Sequence, residues 1–299
     1  MKKTILLFFI CCQTFSQKTI FKGKLLDKET NKPVVYANIS FLKSNQGISS
    51  QEDGTFNLKI DQKILKEKIH ISCLNYKDTI VFAKNLQNNT LFLTLKEIEL
   101  DEIVIAKKID REFVVDKYRR RHIKSTFRGL DKYPTIISKY FNYNEAYKNT
   151  PYLKEVIVYF GAMISRRKSK FRIRFFKVDL KTGNPSEDLI KNEIIAYSSK
   201  IDGKIKVDVS KFDIEFPKEG FFIGLERLHI PYNLYEFTYT IEGSKKKHKQ
   251  INVAPNFGII QTKDTMKIFH KGKWFDFYYP SIFHKNMSIK PAISLTLSN

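Results

Sequence analysis

The segment Lys170-Phe171-Arg172-Ile173-Arg174-Phe175 constrains this chain most. It alternates strictly, so Phe171, Ile173 and Phe175 share one side of the backbone and three cations share the other. An extended strand separates these two sets, whereas a helix would mix them. Thr55-Phe56-Asn57-Leu58-Lys59-Ile60 repeats the pattern. Strand-like stretches are expected at 19–26, 34–42, 55–60, 68–74 and 90–95. Others fall at 154–160, 170–175, 204–209, 220–228, 234–241, 274–279 and 289–297. Turn-forming groups break them, among them Asp53-Gly54, Thr182-Gly183-Asn184-Pro185, Asp202-Gly203 and Lys271-Gly272-Lys273. The expected fold class is mainly β: a small N-terminal antiparallel sandwich and a second, jelly-roll-like C-terminal sandwich over 135–299. Between them, residues 106–134 read as a basic helical linker. Asp110 would cap it, Phe113, Val114, Tyr118 and Ile123 would form its apolar face, and Gly129 and Pro134 would end it.

The chain opens with Met1-Lys2-Lys3, then the apolar run Ile5 to Cys12, then polar and small residues to Gln17. A basic start, a short apolar core and a polar exit form the pattern of a secretion signal over residues 1–16, with cleavage expected near Ser16 and Gln17. A lipoprotein signal fits poorly, because Ile10 and Cys11, not a small residue, precede the two cysteines. Beyond this segment no apolar run approaches the length needed to cross a bilayer. Loss of residues 1–16 removes Lys2 and Lys3, lowering the net charge from +22 to +20, and leaves Cys73 as the single cysteine. An exported chain with one cysteine forms no internal disulfide, so its domains must rest on hydrophobic cores, and 14% aromatic content can supply them. Cys73 sits in an apolar strand-like run and reads as a buried, inert thiol.

Four groups of residues carry a family resemblance: Phe21-Lys22-Gly23-Lys24-Leu25-Leu26-Asp27, Asn31-Lys32-Pro33-Val34-Val35-Tyr36-Ala37-Asn38-Ile39, Gly47 with Asp53-Gly54-Thr55-Phe56, and Ile69 to Tyr76. Over residues 18–105 the chain resembles the carboxypeptidase-regulatory-like domain of Gram-negative envelope proteins. That resemblance implies a transthyretin-like, seven-stranded sandwich and no chemistry of its own. Asn75 stands where the family favours glycine, and asparagine is the next best residue at positive φ. Leu100-Asp101-Glu102-Ile103-Val104-Ile105 is similar to a run that leads into the plug and barrel of TonB-dependent receptors. The part that follows lacks the many lipid-facing strands of a large barrel, so a free-standing relative is expected, with 100–105 as a closing edge strand. Segments 172–189, 207–209 and 220–226 resemble a β-domain found behind the regulatory-like domain in envelope proteins.

Motifs for chemistry are sparse. A zinc peptidase needs His-x-x-Glu and a distant His, but none of His70, His122, His229, His248, His270 and His284 is followed by Glu three residues later. The chain has no Gly-x-Ser-x-Gly elbow, phosphate loop or dinucleotide fingerprint. Asp53-Gly54 lacks the ligand series of a calcium loop. No cofactor or metal site is expected. Glu219, Glu226, Glu236 and Glu242 could supply a glycosidase pair on a β scaffold. A glycan- or peptide-directed hydrolase in the C-terminal domain is therefore the alternative to the preferred reading.

The preferred reading follows from charge. Arg166 to Lys177 carries seven cations and no acid. Lys168, Lys170, Arg172 and Arg174 are the candidate anionic-surface site, against the alternative of a solvated sheet face. Lys245, Lys246, Lys247 and Lys249 form a second cluster at an expected hairpin tip. Such a field favours polyanions. For an exported protein of the periplasm or outer membrane these are anionic glycan or lipid surfaces, not nucleic acid, alongside an envelope protein met through strand edges. The expectation is a non-catalytic, exported envelope protein that binds or scaffolds.

Overall fold

The computed structural model describes residues 17–97, 111–123, 125–128, 133–161, 168–198, 203–277 and 287–299. The expected signal segment 1–16, the expected closing strand 100–105, the cap Asp110 and the cations Arg166 and Arg167 lie outside the described residues.

The first sandwich has seven strands: β1 (Lys18–Asp27), β2 (Asn38–Phe41), β3 (Gly47–Ser49), β4 (Thr55–Asp61), β5 (Lys68–Ser72), β6 (Thr79–Phe82) and β7 (Thr90–Leu93). They form a three-stranded sheet, β4-β1-β7, and a four-stranded sheet, β3-β2-β5-β6. Period-two side chains meet between the sheets: Phe21, Leu25, Phe56 and Ile60 from one, Ile39, Phe41, Ile69 and Ile71 from the other, all buried. The Phe21 ring meets Phe41 edge-on at 5.3 Å. Asn75 and Gly54 adopt positive φ, at 69° and 78°, as their turn positions require.

The second sandwich is larger. Its strands are β8 (Glu112–Val115), β9 (Ser125–Phe127), β10 (Thr135–Phe141), β11 (Tyr152–Phe160), β12 (Lys170–Val178), β13 (Pro185–Asp188), β14 (Ile194–Tyr197), β15 (Gly203–Asp208), β16 (Phe221–Arg227), β17 (Leu234–Thr240), β18 (Lys247–Val253), β19 (Phe257–Thr262), β20 (Met266–His270), β21 (Lys273–Phe277), β22 (Ser288–Pro291) and β23 (Ile293–Ser298). One seven-stranded sheet runs β13-β12-β16-β10-β20-β21, with β14 also on β12. The other runs β22-β19-β11-β23-β8, with β15 on β11 and β9 on β19. Phe171, Ile173 and Phe175 of β12 and Phe221, Ile223 and Leu225 of β16 face Val156 and Val158 of β11 and Leu295 and Leu297 of β23 across the core. β17 and β18 form a separate two-stranded ribbon.

The expected helical linker is corrected. Residues 112–115 and 125–127 are edge strands of the second sandwich, β8 pairing with β23 and β9 with β19. Among the described residues between them the one helical turn is Arg120–His122. Asp116 takes φ 56°, which no helix tolerates, and the β-branched pair Val114-Val115 completes an open sheet edge instead. The expected strand at 289–297 is divided at Ala292 into β22 and β23, which lie on opposite arms of the same sheet. Among the described residues no helix is long and apolar enough to cross a membrane.

Candidate functional site

The strand that suggested an anionic surface lies instead in a seam between the sandwiches. With Phe171, Ile173 and Phe175 turned into the core, alternation turns Lys170, Arg172 and Arg174 onto the polar outer face of the β3-β2-β5-β6 sheet. Arg172 is 0% exposed and all its donor capacity is used. Its Nε and Nη2 donate to Glu193 Oε1 at 3.1 and 2.6 Å. Nη1 donates to Glu226 Oε2 at 3.1 Å and to the Tyr36 carbonyl at 3.2 Å, and Nη2 reaches the Val35 carbonyl at 3.2 Å. Glu226 stands directly opposite Arg172 in the β12–β16 ladder and also accepts from Asn38 Nδ2 at 2.5 Å. Burial is the largest influence on Arg172 and opposes its charge, but the groups around it, Glu226 and Glu193 chief among the carboxylates, together outweigh it and hold the guanidinium above its ordinary range. Arg174 makes a two-pronged contact with Asp188, at 2.8 and 2.6 Å. Lys170 pairs with Glu52 of the first sandwich. The candidate surface is therefore corrected: among its four residues Lys168 is exposed, while Lys170, Arg172 and Arg174 are held by carboxylates.

Other contacts extend the seam. Ser49 N–H donates to the His229 carbonyl and His229 N–H to Ser49 Oγ, each at 3.0 Å. Asn75 Nδ2 donates to the Lys191 carbonyl at 2.8 Å, and Tyr36 packs with Leu228 and Ile230. Burial pushes the His229 imidazole down to about 4, and the Arg227 guanidinium adds to that shift.

A second cation-rich surface lines a cleft in the second sandwich. Tyr118 to Arg120, Ile123, Ser125 and Thr126, with the end of β11 and the start of β15, line a cleft of about 660 Å³, within the roughly 300–1,000 Å³ typical of small-molecule sites. Its walls are Tyr118, Ile123, Tyr159 and Phe160, and its polar groups are Arg119, Arg120, Lys204, Ser125 and Thr126. Among the described residues that line it, three are cations and none is an acid. Tyr118 stands edge-on to Tyr159 at 5.8 Å, and Lys204 Nζ lies 5.9 Å from the Tyr159 ring centre. Beneath this wall Lys139, with its side chain 0% exposed, pairs with Asp116 at 2.8 Å and donates to Tyr118 Oη at 2.9 Å. Burial pushes the Lys139 ammonium down to about 8 against the pull of Asp116. This ion pair anchors residues 116–118, and with them one wall of the cleft, to the sandwich. Charge counting along the sequence could have flagged Arg119 and Arg120. Lys204 joins them through the β11–β15 pairing alone.

The structure does not gather the four glutamates considered for hydrolysis. Glu226 is sealed in the seam, and Glu219 lies beyond the opposite end of the same strand, roughly 20 Å away along an extended chain. Glu236 pairs with Lys249 at 2.9 Å, and Glu242 lies in the ribbon turn. Among the described residues no group of three or more His, Cys, Asp and Glu is placed to hold a metal ion.

No curated protein matches the chain significantly. Residues 21–105 match the family model described as CarboxypepD_reg-like domain. Its bounds enclose all of β2 to β7 and most of β1, so the first sandwich is a carboxypeptidase-regulatory-like domain.

Proposed function

We propose that this is an exported, non-catalytic binding protein of the cell envelope whose second sandwich holds a carboxylate- or phosphate-bearing ligand. The observation that carries the reading is the cleft, with three cations, two hydroxyls and two tyrosine rings on its walls and no acid among its described lining residues. Cations in a partly enclosed site attract an anion more strongly than the same cations in bulk water. The tyrosine rings offer a face to an apolar or sugar body. The regulatory-like sandwich supports a binding role, and the seam joins it to the second sandwich. The basic and apolar opening of residues 1–16 supports export to the periplasm or outer membrane.

Two experiments test this. Calorimetric titration with uronate oligosaccharides and sugar phosphates should give saturable binding that Arg119→Glu with Lys204→Glu removes. Failure of every anion to bind, or binding unchanged in that variant, refutes the cleft as the site. Fractionation of cells should find a processed chain starting near Gln17 in the envelope. An unprocessed cytosolic chain refutes export.

A further inference from the structure

We propose that the β17–β18 ribbon docks the protein on an anionic lipid bilayer surface, independently of the cleft. The ribbon pairs in full register from Leu234 opposite Val253 to Thr240 opposite Lys247 and forms a sheet of its own outside both sandwiches. A two-stranded ribbon buries little by itself, so residues toward its tip stay exposed. Lys245, Lys246, Lys247 and Lys249 are all exposed within five residues. Glu242 is the sole acid from 241 to 249, and Glu236 is engaged by Lys249.

Exposed apolar side chains flank these lysines on both faces of the ribbon, Tyr239 on the face of Phe237 and His248, and Ile251 on the face of Lys247 and Lys249. Ile241 is 53% exposed, Ile251 65% and Tyr239 39%. Phe237, Tyr239 and His248 follow one another with nearly parallel rings, at 6.1 and 5.5 Å between centres. Lysines carry their charge on flexible apolar stems, and tyrosine suits a boundary that is apolar on one side and wet on the other. Strand alternation puts Lys247, Lys249 and Ile251 on one face of the ribbon, so the charge on that face complements an anionic headgroup layer and Ile251 the acyl boundary below it. A nucleic acid or an acidic glycan would meet the lysines but has no counterpart for an aliphatic side chain exposed on the same face. That decides for lipid.

The test is co-sedimentation of the chain from Gln17 onward, which contains every described element, with phosphatidylcholine vesicles and with phosphatidylcholine–phosphatidylglycerol vesicles. Binding should require phosphatidylglycerol and weaken as salt rises. Each lysine near an anionic surface changes partitioning about fivefold, so Lys245→Ala, Lys246→Ala and Lys247→Ala together should lower it about 100-fold. Ile241→Ser with Ile251→Ser should lower it further at unchanged charge. Arg119→Glu with Lys204→Glu should remove cleft binding but keep the requirement for the ribbon lysines. No preference for phosphatidylglycerol, or a lysine triple variant that binds like the parent, overturns the proposal. So does tight capture of single-stranded oligonucleotide or acidic polysaccharide that is indifferent to the isoleucine changes. All substituted side chains are exposed, so unchanged circular dichroism serves as the folding control.

Discussion

Replacing Arg172 with methionine tests the account of the seam most directly. Methionine keeps the length of the buried stem and removes the charge with its donors. Glu226, also 0% exposed, then keeps only Asn38 Nδ2 at 2.5 Å and Arg174 Nη1 at 3.9 Å as nearby donors. The Val35 and Tyr36 carbonyls lose a donor each. Breaking a buried ion pair by deleting one partner costs about 3–5 kcal/mol, because the other charge stays desolvated. For a chain of this size that is a fall in melting temperature of about 6–20 °C. Glu193 contributes little to the cost, since its side chain is 42% exposed and can hydrate once released. Adding Glu226→Gln removes the stranded charge while its amide oxygen still accepts from Asn38, so the double variant should recover more than half of the loss. Urea unfolding followed by circular dichroism reads both values. A single variant that loses less than about 1 kcal/mol, or a double variant no more stable than the single one, would refute the reasoning. By the same logic, charge reversal at Arg172 and Arg174 should loosen the seam.

Three further predictions concern the same architecture. Because His229 titrates near 4 in the folded chain against an ordinary 6.5, the unfolded chain binds the extra proton between those values. Stability should therefore fall as pH falls through that window, His229 contributing at most about 1.4 kcal/mol per pH unit, and His229→Leu should remove that share of the slope in pH-dependent urea unfolding, leaving the share from His270, which burial also pushes down to about 4. A Cβ at Gly161 would lie 1.9 Å from the Thr126 methyl. Gly161→Ala should thus cost about 1–3 kcal/mol in thermal unfolding, and adding Thr126→Ser, which removes that methyl, should restore most of it. Burial pushes the Cys73 thiol up to about 11, so at pH 8 it should react with a thiol reagent at the rate of unfolding; rapid labelling of the native protein would contradict its burial.

Much of the fold was legible in the residues themselves. Strict alternation at 170–175 and 55–60 identified β12 and β4, because a period of two leaves no other regular structure that sorts the side chains. Asp53-Gly54 and Asn75 marked turns through local backbone preference alone. The lysines at 245–249 marked a ribbon turn for a similar reason: a run of cations beside Gly243 has no place within a buried sheet. Local preference failed at 112–127, where an open sheet edge drew the chain into β8 and β9.

What covers the cationic face of β12 was decided by tertiary structure. The sequence determined that Lys170, Arg172 and Arg174 would share a side. It carried no sign that Glu226, 54 positions from Arg172, and Glu52, 118 positions from Lys170, would meet them. The cleft has the same origin, since strand pairing brings Lys204 to Arg119. Side-chain alternation is a property of a few consecutive residues and can be read directly. The partner of a charge depends on which sheets pack face to face, and that is settled by burying the two cores, not by the charges themselves.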